Sequence, residues 1–185
     1  MNRVFGNHQV TLRDEPAYSL NSTDNPRGYS HEYFRDDDYH YTSAHGINVS
    51  ENDKTFSSAI VLGFGGATGI HDNSVAYDGD GIYVAAGDAL YSLTLPSLQL
   101  NWVIKVDLAT CFGVFWLEQR NFLLTWGELE IGCYSKSGRK IWSASGPDIF
   151  TEDFELQKDT VKVTDFNGQI FSINLSNGVI TNANT

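Results

Sequence analysis

The residues with the most chemical promise lie in one polar stretch, Ile70-His71-Asp72-Asn73-Ser74. An imidazole beside a carboxylate can move protons or ligate a metal. His71, Asp72 and Asn73 can equally present polar groups to a bound partner. No second histidine and no nucleophile stands at a fixed spacing from them, so a buried or turn-stabilising His–Asp pair is the plainer reading. His31, His40 and His45 surround the acidic run Asp36-Asp37-Asp38. A metal site needs three or four converging ligands, and these spacings match no metal motif. A solvated acidic loop is expected there, with no metal and no cofactor anywhere in the chain.

The remaining candidates read as structure. Gly63-Phe64-Gly65-Gly66-Ala67-Thr68-Gly69 superficially looks like a phosphate cradle, but it has no lysine and no helical pattern after it. A hairpin or bulge loop is expected. Asp78-Gly79-Asp80-Gly81 evokes a calcium loop, yet Ala76 stands where a ligand is needed and no glutamate closes the set. It reads as a turn. Cys111 lies in the apolar run Cys111–Leu117 and reads as an inert buried thiol. Glu128 and Glu130, with Glu118 nearby, could be paired carboxylates, but period-two spacing beside a turn reads as a solvated strand face. Trp and Tyr residues at the rims could stack on a sugar or peptide, but the spacing of Trp102 and Trp142 points to packing.

These residues belong to a chain of 185 with 12 Lys and Arg against 23 Asp and Glu, a net charge of −11. The acidity is spread over both halves, −4 before residue 56 and −7 after it. A nucleic-acid binder needs a basic face, and so does a ligand of anionic membranes, so neither is expected. Apolar runs are strand-sized, with none approaching the ~20 residues of a membrane-spanning helix. No apolar run of signal-peptide length follows the polar start Met1–His8. The expectation is a cytoplasmic chain, in which Asn21, Asn48 and Asn174 match the glycosylation pattern only by chance. Cys111 and Cys133 are too few for a disulfide framework. One bridge or two buried free thiols remain open, the second preferred.

All five histidines precede residue 72 and all four tryptophans follow residue 100. The first ~55 residues are polar and turn-rich, yet Tyr29, Tyr33, Phe34, Tyr39 and Tyr41 are too aromatic for a disordered segment. Irregular structure or short strands packed on the main body are expected. From Phe56 onward, short apolar runs alternate with Gly, Asp, Asn and Ser, and no helical periodicity appears.

Three segments superimpose in this second part, Ile82 to Trp102, Phe122 to Trp142 and Val161 to Ile180. Gly87 to Gly127 is 40 residues, Gly127 to Gly168 is 41, and Trp102 to Trp142 is again 40. Each unit reads strand, glycine turn, strand, second turn, strand. The second turns are Leu95-Pro96-Ser97-Leu98, Ser135-Lys136-Ser137-Gly138 and Leu175-Ser176-Asn177-Gly178. These units resemble the PQQ-like (quinoprotein-like) β-propeller repeat over about residues 78–182. The second unit matches best, the third lacks the tryptophan, and the first has Pro96 in place of the turn glycine. The resemblance implies blades and carries no expectation of quinone binding.

The fold expected is all-β, with repeated antiparallel sheets like propeller blades. An irregular extension over 1–55 packs on a blade-like repeat domain over 56–185. Propellers close with four to eight blades, so three units plus a fourth sheet from Ser57–Phe64 and part of residues 3–50 leave closure as the puzzle. An open edge needs a cover, from the N-terminal segment or from another copy of the chain. The expected function is a non-enzymatic protein-binding module, with a basic partner such as a toxin suited to the acidic surface. The alternative is a hydrolase or metal-dependent enzyme centred on His71 and Asp72.

Overall fold

A computed structural model describes residues 1–35, 40–51 and 54–183. The acidic run 36–38 and Tyr39, singled out above, lie outside the described residues. Strands dominate, with one 3-10 turn at Glu118–Arg120 and no α-helix among the described residues. The first sheet contains β1 (Asn2–Phe5), β2 (His8–Asp14), β3 (His31–Tyr33), β4 (Ser43–Glu51) and β5 (Lys54–Gly63). Its order is β1-β2-β4-β5-β3, with β3 parallel to β5 and every other pair antiparallel. The boundary expected at 55/56 therefore falls within the β4–β5 hairpin.

Three four-stranded antiparallel meanders follow. The second sheet is β6 (Val75–Tyr77), β7 (Gly81–Ala86), β8 (Ala89–Thr94) and β9 (Leu100–Lys105). The third is β10 (Cys111–Leu117), β11 (Phe122–Gly127), β12 (Ile131–Ser135) and β13 (Lys140–Ala144). The fourth is β14 (Phe154–Leu156), β15 (Thr160–Thr164), β16 (Ile170–Asn174) and β17 (Ile180–Asn182).

The sheets stack in chain order, because side chains alternate across each strand. In β7, Ile82, Val84 and Ala86 face the first sheet, while Tyr83 and Ala85 face the third. In β11, Leu123 faces the second sheet, while Phe122 and Leu124 face the fourth. Strands buried on both faces read as the unbroken apolar runs seen in the sequence. No core cluster among the described residues joins the fourth sheet back to the first, so the stack is open.

Its two end faces are treated differently. On the first sheet, Ala44, Ile60 and Leu62 are covered by Tyr18, Leu20, Tyr29 and Tyr41 from the irregular N-terminal segment. Tyr29 lies so close that a Cβ on Gly46 would come within 1.9 Å of its hydroxyl oxygen, and that hydroxyl donates to Glu15 at 2.8 Å. Thus Tyr29 and Tyr41 of the expected aromatic group form this cover, while β3, carrying Tyr33, adds to the edge of β5. On the fourth sheet, Val161, Val163, Phe171 and Ile173 face inward. The alternating positions Thr160, Lys162, Thr164, Ser172 and Asn174 are polar and need no cover.

The repeated tryptophans join one sheet to the next. Trp102 lies against the turn of the third sheet, its indole donating to the Lys136 carbonyl at 3.1 Å. A Cβ on Gly138 would sit 3.0 Å from the Trp102 ring, and one on Gly178 would sit 2.7 Å from Trp142. The same turn in the second sheet carries Leu98, with a left-handed φ of 55° and its side chain in the core. There Ser57 donates to the Pro96 carbonyl and Tyr33 to that of Leu98. Pro96 does not occupy the glycine position; Leu98 does, four residues before Trp102 as Gly138 is before Trp142.

Three local expectations are corrected. The residue pair Gly87 and Gly168 has positive φ, but Gly127 does not. Gly127 is needed for space, since a Cβ there would meet the Asp107 carboxylate at 2.1 Å. The 63–69 segment is a crossing between the first and second sheets rather than a hairpin. Its glycines permit close backbone approach: Cβ atoms on Gly65 and Gly66 would lie 2.0 Å from the Ala109 carbonyl oxygen and the Thr110 hydroxyl. Glu128 and Glu130 lie in the β11–β12 turn, not on a strand face, and Glu130 pairs with Lys140 at 2.5 Å.

Gly178 and Gly168 both have positive φ, 72° and 75°, but only Gly178 has a ring above it, and Gly168 has nothing within 4 Å of an added Cβ. Gly168→Ala should cost about 1 kcal/mol, the price of left-handed backbone. Gly178→Ala should cost clearly more in urea denaturation, because the Trp142 contact must open as well.

Candidate axial groove

The first strand of each sheet is an edge strand, and these four edges converge. Phe5 of β1 stacks on Tyr77 of β6 with ring centroids 5.0 Å apart. Asn73, just before β6, accepts from the Val114 amide of β10 at 2.8 Å. Phe115 of β10 stacks on Phe154 of β14 at 4.8 Å. Between the edges runs a groove. One cavity of about 270 Å³ is lined by Asp72, Asn73, Tyr77, Phe115, Trp116 and Leu156 among others. A second, of about 250 Å³, continues it past Trp116, Leu117 and Leu156 to Arg120 and Lys158. Leu156 on β14 lines both cavities and is 38% exposed, so an apolar side chain faces solvent along it.

The 70–74 loop forms one rim of this groove. His71 and Asp72 are exposed and Asn73 is half-buried. They do not form a buried or turn-stabilising pair with each other. The Asp72 carboxylate is held by Arg3 at 2.6 Å, and His71 Nδ1 accepts from the Asn73 amide at 3.3 Å. Ser74 accepts from the His71 amide at 2.9 Å. Arg3 therefore joins the three residues expected from sequence; its partner is 69 positions away, a contact no local pattern could reveal.

Four sheets stacked in chain order, each with its first strand at a common axis, are the arrangement of propeller blades. No family model matches the chain, and no curated protein does either. Solved structures do match. Hydrazine synthase of Kuenenia stuttgartiensis aligns with a TM-score of 0.57 at 14% identity, over 74% of this chain and 42% of that one. BamB of Moraxella catarrhalis aligns at 0.52 and 12% identity, over 75% and 46%. The WD40 repeats of RRP9 align at 0.50 and 12% identity, over 60% and 38%.

The chain has a β-propeller-type repeat fold.

It spans less than half the length of each of these chains. The propeller arrangement explains why the groove is wide: edges that enclose a channel in a closed ring lie open in a partial one.

The other sequence candidates serve the scaffold. Asp78 accepts from the Asp80 and Gly81 amides and from Tyr83, and it bonds Lys136 at 2.8 Å. Lys136 reaches Asp80 as well, so this turn ties the second sheet to the third. Cys111 and Cys133 are buried free thiols, both pushed up to about 12 by burial. His31 reaches Gln99 at 3.2 Å and does not meet His45. No group of three or more metal-ligating side chains converges among the described residues. No helix among them is long and apolar enough to cross a membrane.

Two polar groups hold the crossings between sheets, Asp107, which sequence reasoning passed over, and His45, which it grouped with the acidic run. Asp107 accepts from four amides, those of Ala109, Thr110, Leu129 and Glu130, and so clamps the crossing from the second sheet to the β11–β12 turn. Burial nonetheless outweighs those bonds and raises its pKa from the ordinary carboxyl value. His45 of β4 is buried between the first sheet and the crossing loop, its Nε2 3.0 Å from the Thr68 carbonyl. Its Nδ1 lies buried beside the Ala85 carbonyl without a hydrogen bond of good geometry. Asp14, 3.6 Å from Nε2, accepts from the Ile70 amide. Together His45 and Asp14 hold the chain that leads into His71.

Burial lowers the His45 pKa from its ordinary value, outweighing the opposing pull of the Thr68 carbonyl and Asp14. The unfolded chain thus takes up this proton first as pH falls below about 6.5. The neutral ring's contribution to stability is present above that pH and is lost on acidification toward the lowered folded value. Denaturant titrations at pH 7.5 and 5.5 should show a larger loss for the wild type than for His45→Asn.

Proposed function

We propose that this chain is a non-enzymatic protein-binding module whose partner seats in the axial groove. The observation that carries this reading is the apolar lining of the groove, where Phe115, Trp116 and Leu117 are partly exposed and Leu156 is exposed. Contiguous exposed apolar surface with a polar rim is the usual mark of an interaction site. His71, Asp72 and Asn73 form that rim and contact the partner's polar groups. The net charge of −11 suits a basic partner, steered in by long-range attraction. A toxin masked by this chain is one such partner.

The geometry gives the rival hydrolase reading less support. His71 and Asp72 are bound to different groups, and the Ser74 hydroxyl beside them bonds the His71 amide. Leu156→Arg and Asp72→Arg change exposed positions on the groove and should leave the fold intact, as checked by circular dichroism. Affinity capture from the native cell should recover a stoichiometric basic protein with the wild type and lose it with the double variant. Retention by the double variant, or a turnover abolished by His71→Ala, would overturn the reading.

A further inference from the structure

The main chain around the groove is incompletely bonded, and the ladder spacing shows where. In an antiparallel pair, residues alternate between bonding the partner strand and pointing away from it. On β10, the Val114 amide leaves the ladder to reach Asn73, so Val114 points away from β11 and so does Trp116, two residues on. On β14, Asp153 and Gln157 bond Thr164 and Thr160, which turns Phe154 and Leu156 outward. Val114 is buried beside Asn73, whereas Trp116 is partly exposed with its main-chain groups turned away from β11. Bare edges of this kind are templates for another strand.

We infer that the partner enters as an extended segment that adds a strand to the inner edge of β10, continuing from the bond that Asn73 already makes. This rests on the groove being the partner's seat and names how the partner is held there. Main-chain bonds to Trp116 supply affinity, and alternate side chains supply specificity. The two cavities flank this edge and share Trp116, Leu117 and Leu156, so the segment's apolar residues, spaced two apart, have places to go. Basic residues between them match the −11 of the chain. A segment with this alternation is a strand by its own pattern.

The test uses synthetic hexapeptides alternating Leu or Val with Lys, binding to the full chain. Each is made in two further forms, N-methylated on the odd residues or on the even ones. Methylation of the edge that faces β10 should weaken binding about tenfold or more, and methylation of the other edge should not, since each lost bond is worth roughly that factor. Amide exchange at Trp116 should slow at least ~10-fold on binding, by the same reasoning. Equal binding by both methylated forms, sensitive to Leu156→Arg, would overturn strand addition while leaving the groove as the seat. Failure of every unmethylated peptide to bind overturns the inference. A dimer by light scattering in which Trp116 is already protected would place a second copy in the groove and overturn it too.

Discussion

A sheet that is apolar on both faces needs a neighbour on each side, and this requirement governs the molecule. The second and third sheets meet it fully, since their strands send alternate side chains to opposite neighbours. A closed ring would meet it for every sheet. Here the stack is open, and two faces must be dealt with separately. The first sheet keeps its apolar outer face and is covered by Tyr18, Tyr29 and Tyr41. The fourth instead has polar residues at alternate positions of β15 and β16. Both solutions are familiar at the ends of repeat arrays, where the outermost surface must be compatible with water.

Solving the problem of the faces leaves the edges. The inner strands converge because neighbouring sheets are locked at fixed spacing by Trp102 against Gly138 and Trp142 against Gly178. Their partly exposed apolar side chains, Phe115, Trp116 and Leu156 among them, then line a groove open to solvent, with the 70–74 loop as one rim. His45, Asp14 and Asp107 hold the crossings between sheets.

Much of this was legible in the sequence, and the exceptions have physical reasons. The 40-residue recurrence of glycine and tryptophan marked the blades because the tryptophans pack on the second turn of the next sheet while the glycines recur at the first turn. The recurrence could not say which demand each glycine meets. Gly87 satisfies a backbone angle, while Gly127 makes room for Asp107. The polar loop at His71 was visible as a cluster of unlike residues. Its partner Arg3 was not, because the contact joins strands from different sheets. The first sheet was only half legible: β3 joins β5 in parallel across many intervening residues, and short-range periodicity is blind to such a pairing. The groove itself was invisible, being assembled from single residues of separate edge strands.

Stacking in chain order also bears on how the chain acquires its structure. Each meander pairs only with itself, and it packs only on sheets made just before or just after it. The loop entropy of forming any one sheet is therefore small, since its strands are neighbours in sequence. A chain emerging from the ribosome can complete each layer against the one already made, with the tyrosine-covered first sheet as the founding surface. Among the described residues the fourth layer rests on a single neighbour, so it should fray before the layers held on both sides.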